Sequence, residues 1–217
     1  MGKRFIITHS CHYFPAFGEA SIFKKNGIMN VTEALGADIV LKNNANICLA
    51  AQYIGTGVDY KGGYTNYYYN LRVLDEASEK PAHLQVIQYS LGLKKFRKKM
   101  PAPIGFYMKW ELLLLKYYVN YDPNVFYTIE NRGVLPPIDA GSGKASSTGI
   151  GGAYSIGKQR ILWHKLVVDC GVRVQLCSML RGSYDSEAAR YMMSNANTRI
   201  LNHQILALKL GLGFLAF

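Results

Sequence analysis

The densest group of potentially reactive side chains is His9, Cys11 and His12, three metal-ligand types within four positions. On an extended strand, residues of equal parity share a face, so His9 and Cys11 point one way and His12 the other. Two ligands do not complete a site that needs three or four, and His83, His164 and His203 are scattered. The expectation is ordinary strand residues and no metal. Gly141-Ser142-Gly143-Lys144-Ala145-Ser146 resembles part of a phosphate loop, but the first glycine of that motif falls on Ile138 and the hydroxyl position is Ala145. It precedes a strand pattern instead of a helix, which reads as a flexible connection with no nucleotide and no cofactor.

Two sets of charged residues carry more information. Lys109, Glu111, Asp169, Arg173 and Lys209 all fall on the less apolar parity of alternating segments, so strand geometry gathers them on one face. Opposite charges there can pair and tie the walls of a narrow barrel together. A catalytic reading would make Glu111 or Asp169 a general acid or base, but no nucleophile or orienting histidine is recognisable in the pattern. Lys94, Lys95, Arg97, Lys98 and Lys99 put five cations in six positions, which reads as a basic turn able to meet anionic headgroups or an acidic partner, or simply to be solvated. Tyr60, Tyr64, Tyr67, Tyr68 and Tyr69 cluster in one connection, as at a membrane interface or a docking surface. Ser186–Met193 suits a short capped helix.

The elements that must hold these residues are strands. Period-two alternation runs through Leu35–Leu41, Ile47–Tyr53, Ile87–Leu93, Ile104–Leu114, Ile150–Ile156, Val168–Leu176 and Leu206–Phe214, with an eighth segment at Phe5–Phe14. Short connections at Lys42–Asn46, Lys95–Pro103 and Lys158–Arg160 alternate with long ones at Pro15–Asn30, Lys61–Ala82, Asp122–Ser146 and Met179–Thr198. Eight strands with that alternation return both termini to one side, as an up-and-down barrel requires. The less apolar parity is rich in Gly, Ala and Ser, which suits a crowded lumen better than a water-facing wall. The expectation is therefore an all-β, eight-stranded antiparallel transmembrane barrel forming one domain over residues 1–217, with short periplasmic turns and long extracellular loops.

Composition agrees. The chain is 49% hydrophobic and 18% charged, which excludes disorder. The longest apolar stretch, Gly105–Tyr121, is broken by Lys109, Glu111 and Lys116, so a spanning helix is not expected. Phe5-Ile6-Ile7 meets Thr8, His9 and Ser10 too soon for a signal peptide, so for an exported protein this is a mature or engineered start or the upstream sequence is left out. Four cysteines without close pairing read as packing residues. The net charge of +11 suits several anionic partners, but the cations do not gather on one sheet face with stacking aromatics, so nucleic acid is not expected.

Gln88-Tyr89-Ser90-Leu91-Gly92-Leu93-Lys94-Lys95-Phe96, followed by Ala102-Pro103-Ile104-Gly105-Phe106-Tyr107, resembles the central hairpin of small outer-membrane β-barrel proteins of the Bacteroidota. Gly149–Gly152, leading through Gly157–Arg160 to Leu166–Arg173, is similar to the next hairpin, and the resemblance extends over about residues 30 to 217. It implies a porin-like outer-membrane barrel, and the terminal Phe217 is similar to the aromatic read by barrel-assembly machinery. The functional expectation is a structural or interaction protein of the bacterial outer membrane, not an enzyme. It would contact outer-membrane lipids and other outer-membrane or periplasmic subunits, and its lumen would be plugged and non-conducting. The alternatives are an enzyme embedded in the outer membrane and a soluble lipocalin-like carrier of a small apolar ligand.

Overall fold

The computed structural model describes residues 5–14, 31–42, 44–58, 72–73, 82–97, 102–120, 129–130, 144–184, 190, 193–194, 196–197 and 205–216. Among the described residues ten strands follow in chain order: β1 (Phe5–Tyr13), β2 (Val31–Lys42), β3 (Ala45–Val58), β4 (Arg72–Val73), β5 (Ala82–Phe96), β6 (Gly105–Asn120), β7 (Ile129–Glu130), β8 (Lys144–Leu162), β9 (Leu166–Tyr184) and β10 (Leu206–Ala216). Eight of them close into one antiparallel barrel in the order β1, β10, β9, β8, β6, β5, β3, β2. Closure through the β1–β10 pair, from Phe5 opposite Ala216 to Tyr13 opposite Leu208, leaves this sheet no free edge. The other two strands were not expected: β4 and β7 pair as a ribbon between two long connections.

Strand β6 shows why these segments take this form. All sixteen of its residues alternate strictly between buried and exposed. Phe106, Met108, Trp110, Leu112 and Leu114 face out and are each 46–58% exposed, whereas Lys109 and Glu111 face in and are below 10%. The barrel is thus inverted relative to a water-soluble one, with large apolar side chains outside and charges inside. The same polarity recurs on β10, where Leu208, Leu210, Leu212 and Phe214 are outward and Ala207, Gly211, Gly213 and Leu215 inward. Its ladder with β1 is unshifted through Ala216, and Phe217 lies outside the described residues.

Several connections differ from expectation, among them the one expected from Met179, where β9 instead runs on to Tyr184. The ladder does not stop at Lys158-Gln159-Arg160. Those residues pair with Cys170, Asp169 and Val168, and the turn is Trp163-His164-Lys165. Trp163 and His164 take the left-handed conformation, with φ of 46° and 65°, and Lys165 N–H donates to the Leu162 carbonyl at 3.2 Å. Two successive positive-φ residues are the geometry of a tight primed hairpin turn, usually marked by Asn-Gly. Trp-His carries no such mark, so the hairpin extends past the connection expected at Lys158–Arg160. Lys144-Ala145-Ser146 likewise open β8 instead of closing a loop, while 141–143 lie outside the described residues.

The lumen is layered. At the short-turn end Ile6, Val167 and Leu215 cluster with Ile161. The middle is polar and charged. Toward the long connections Ile54, Leu84, Val86, Leu113, Leu115 and Tyr117 form an apolar core joined by Met193 and Ala196. The last two come from the β9–β10 connection, in which Arg190, Met193, Ser194, Ala196 and Asn197 are helical. Spaced three apart, Met193 and Ala196 share a helix face, and both are fully buried. Helical residues therefore continue past Met193, the expected end of the helix, while Ser186–Ala189 lie outside the described residues.

Candidate functional site

The chemistry-bearing residues converge in the middle of the lumen. Glu111 bridges two cations: its Oε1 lies 2.9 Å from Lys109 Nζ and its Oε2 accepts from Arg173 Nε at 3.0 Å. Asp169 takes Lys209 Nζ at 2.8 Å on Oδ2 and the Tyr107 hydroxyl at 2.6 Å on Oδ1. The five residues expected to face inward do so, in two ion clusters on β6, β9 and β10. A polar chain extends them around the wall. Arg173 Nη1 donates to Gln52 Oε1 at 3.3 Å, Gln88 Nε2 donates to the same oxygen at 2.9 Å, and Gln52 Nε2 donates to Thr32 Oγ1 at 2.5 Å.

Lys94 corrects the expected basic turn. It is not at the turn but in the lumen, 2% exposed, with Nζ 2.6 Å from Asp38 Oδ2, 3.0 Å from Gln159 Oε1 and 3.7 Å from Asp169 Oδ2. The ladder of β5 continues through Lys95 opposite Met108 and Phe96 opposite Tyr107, so the inward parity of Gln88, Ser90 and Gly92 carries on through Lys94. Lys95 and Arg97 remain exposed at the short-turn end, and Lys98 and Lys99 lie outside the described residues. Asp38 was missed as a site residue. Its place between Gly36 and Val40 on the small-residue parity of β2 was the signal that could have found it.

Small residues make room for this network. A Cβ added to Gly92 would lie 2.7 Å from the Trp110 carbonyl oxygen and 3.0 Å from Glu111 Cγ, in the space the Glu111 stem fills. One added to Gly157 would lie 2.6 Å from the Tyr107 hydroxyl. The free space beside Lys94, Lys109, Glu111, Arg173 and Lys209 is about 30 Å³, room for on the order of one or two waters. A soluble carrier needs an apolar lumen large enough for its ligand. The polar lumen and apolar outer wall run against that alternative.

His9, Cys11 and His12 divide between the two faces as their parity predicts. His12 is buried toward the lumen, whereas His9 and Cys11 stay on the outer wall and are joined by Glu33 from β2, with His9 Nε2 3.4 Å from Glu33 Oε2. The ligand atoms of His9, Cys11 and Glu33 lie within 4.8 Å of one another. The tyrosine cluster at 60–69 lies outside the described residues.

A closed eight-stranded barrel with a charged, filled middle and an apolar outer wall is the outer-membrane β-barrel fold. Among solved structures, a major outer membrane protein from Thermus thermophilus is similar over 97% of this chain and 98% of its own, at 14% identity and a TM-score of 0.52. Neisserial surface protein A matches over 98% and 97% at 11% identity and a TM-score of 0.43. Ail, the attachment invasion locus protein of Yersinia pestis, matches over 97% and 96% at 11% identity and a TM-score of 0.41. No protein-family model matches the chain, and no curated protein is significantly similar to it.

Proposed function

We propose that this is a bacterial outer-membrane protein, of the kind its hairpins resemble in the Bacteroidota, that acts structurally or by interaction as a subunit or accessory of a larger assembly. The supporting observation is the outer wall. On β6 the outward side chains from Phe106 to Tyr118, twelve residue steps, are apolar except for Lys116, next to the Tyr118 end, whose long stem can carry its ammonium to the interface. At about 3.3 Å per residue and a tilt of roughly 40°, they cover about 30 Å along the barrel axis, the thickness of a bilayer's hydrocarbon. Exposed aromatics stand at both ends of this band, Tyr13, Tyr118 and Tyr184 toward the long connections and Phe5, Phe106, Phe214 and Trp163 toward the short turns, with Tyr53, Tyr89, Trp110 and Tyr154 between them. Such girdles suit the two interfaces of a membrane.

The contents of the lumen support its being closed. Its ions pair with one another across the barrel, and Met193 and Ala196 fill the layer nearest the long connections. The charged groups are engaged mutually instead of converging on an open cleft, which favours an interaction role over catalysis. The partners of this reading are outer-membrane lipids and other outer-membrane or periplasmic subunits, reached through the long loops or the basic turn.

The test is fractionation and reconstitution. The protein should sediment with outer membranes, require detergent, migrate heat-modifiably on a gel, and carry no current from sugar-sized solutes in planar bilayers. Monodisperse behaviour in plain buffer would remove the membrane reading, and large stable channel currents would remove the closed lumen.

A further inference from the structure

On the outer wall near the short turns, β5, β6, β8 and β9 surround a groove of about 770 Å³, within the roughly 300–1,000 Å³ of small-molecule sites. Phe106, Met108 and Trp110 line one side, and Ile156 and Val172 the other. Gly157 and Gly171, which pair across β8 and β9, form part of its floor. Three cations stand in the same lining: Lys95, Arg97 and Lys158. Lys158 is positioned by a ring, its Nζ lying 4.9 Å from the Phe106 centroid.

These cations differ from those in the lumen. Lys94, Lys109, Arg173 and Lys209 each have a carboxylate within 3.0 Å. Among the described residues, no carboxylate lies within ion-pair range of Lys95, Arg97 or Lys158. An apolar trough with unneutralised cations at one end complements an amphiphile with an anionic head and a hydrocarbon tail. We infer that this groove binds a phospholipid with an acidic headgroup in the leaflet facing the short turns, its phosphate among Lys95, Arg97 and Lys158 and an acyl chain along Met108, Trp110, Ile156 and Val172. A zwitterionic phospholipid would fit the same trough, but its own ammonium would meet the three cations and offset the attraction. The inference rests on the outer-membrane reading and deepens it by naming the lipid class and its seat.

Trp110 reports directly on the groove. The chain has two tryptophans, and Trp163 stands 84% exposed at the β8–β9 turn, so Trp163→Phe leaves Trp110 as the sole emitter. That variant is reconstituted into phosphatidylcholine bilayers containing either brominated phosphatidylglycerol or brominated phosphatidylcholine, and quenching is titrated against bromolipid content. The expected result is a preference for the anionic bromolipid of about fivefold or more, falling to parity when Lys95→Gln, Arg97→Gln and Lys158→Gln are added. Heat-modifiable migration shows that this variant still folds. Equal quenching by the two lipids, or a preference that survives the three substitutions, would overturn the site while leaving the barrel in its bilayer. Absence of quenching by either lipid would overturn the membrane reading itself.

Discussion

Replacing Lys94 by glutamine separates the lumen from the basic turn in one experiment. Asp38 is 5% exposed and its ion pair is with Lys94 at 2.6 Å, whereas Asp169 keeps Lys209 at 2.8 Å when Lys94 is lost. The substitution therefore strands one buried carboxylate. Removing one partner of a buried pair costs roughly 3–5 kcal/mol, far more than the pair itself is worth relative to apolar residues. That is about two to three and a half orders of magnitude in the folding equilibrium, or a fall of roughly 1–3 M in a urea midpoint. Lys95→Gln, one residue along and on the opposite face, should shift stability by no more than about 0.5 kcal/mol. Adding Asp38→Asn to Lys94→Gln should recover part of the loss, with a coupling of about 0.5–3 kcal/mol. The assay is urea unfolding of protein refolded into lipid vesicles, followed by tryptophan emission and by heat-modifiable migration. Equal midpoints for Lys94→Gln and Lys95→Gln would refute the inward placement of Lys94 and, with it, the register of β5.

The outer wall is tested by Leu210→Arg, which should destabilise the barrel in vesicles by roughly 2–4 kcal/mol near the midplane; an effect no larger than that of Lys209→Arg, at the neighbouring inward position, would invert the face assignment. Gly92→Val should cost at least about 1–3 kcal/mol, because its side chain meets the Trp110 carbonyl and the Glu111 stem, and urea unfolding with an unchanged midpoint would show that the lumen has slack there. Surface acylation of whole cells should modify Lys144 and spare Lys95 and Lys165; labelled peptides covering the β8–β9 turn would turn the barrel the other way up.

Much of the architecture was legible because strand geometry is periodic and local. Alternate residues face opposite sides whatever surrounds them, so Leu208, Leu210 and Leu212 could be separated from Lys209 by counting, and so could Glu111 from Leu112. The alternation of short and long connections then implied an up-and-down order. Counting failed where local cues misled. A run of cations drew Lys94 into a turn, although its parity matched Ser90 and Gly92. Trp163 and His164 took a turn conformation that their residue types do not advertise. In the run Leu112–Leu115 both faces are apolar, which hid the inward apolar layer capped by Met193 and Ala196.

The sequence by itself determined parity, the number of barrel strands and the polarity of each face, since all three depend on neighbours along one chain. Which residues meet across the lumen was decided by the tertiary structure alone. Lys94 reaches Asp38 across 56 positions and Arg173 reaches Gln52 across 121, because closing β1 onto β10 bends the sheet until strands that are not neighbours face one another. Glu33 likewise comes beside His9 and Cys11 through the register of β1 with β2, opposite Cys11. Strand pairing and barrel closure set these meetings by the relative offset of whole strands, a quantity written in no single segment of the chain.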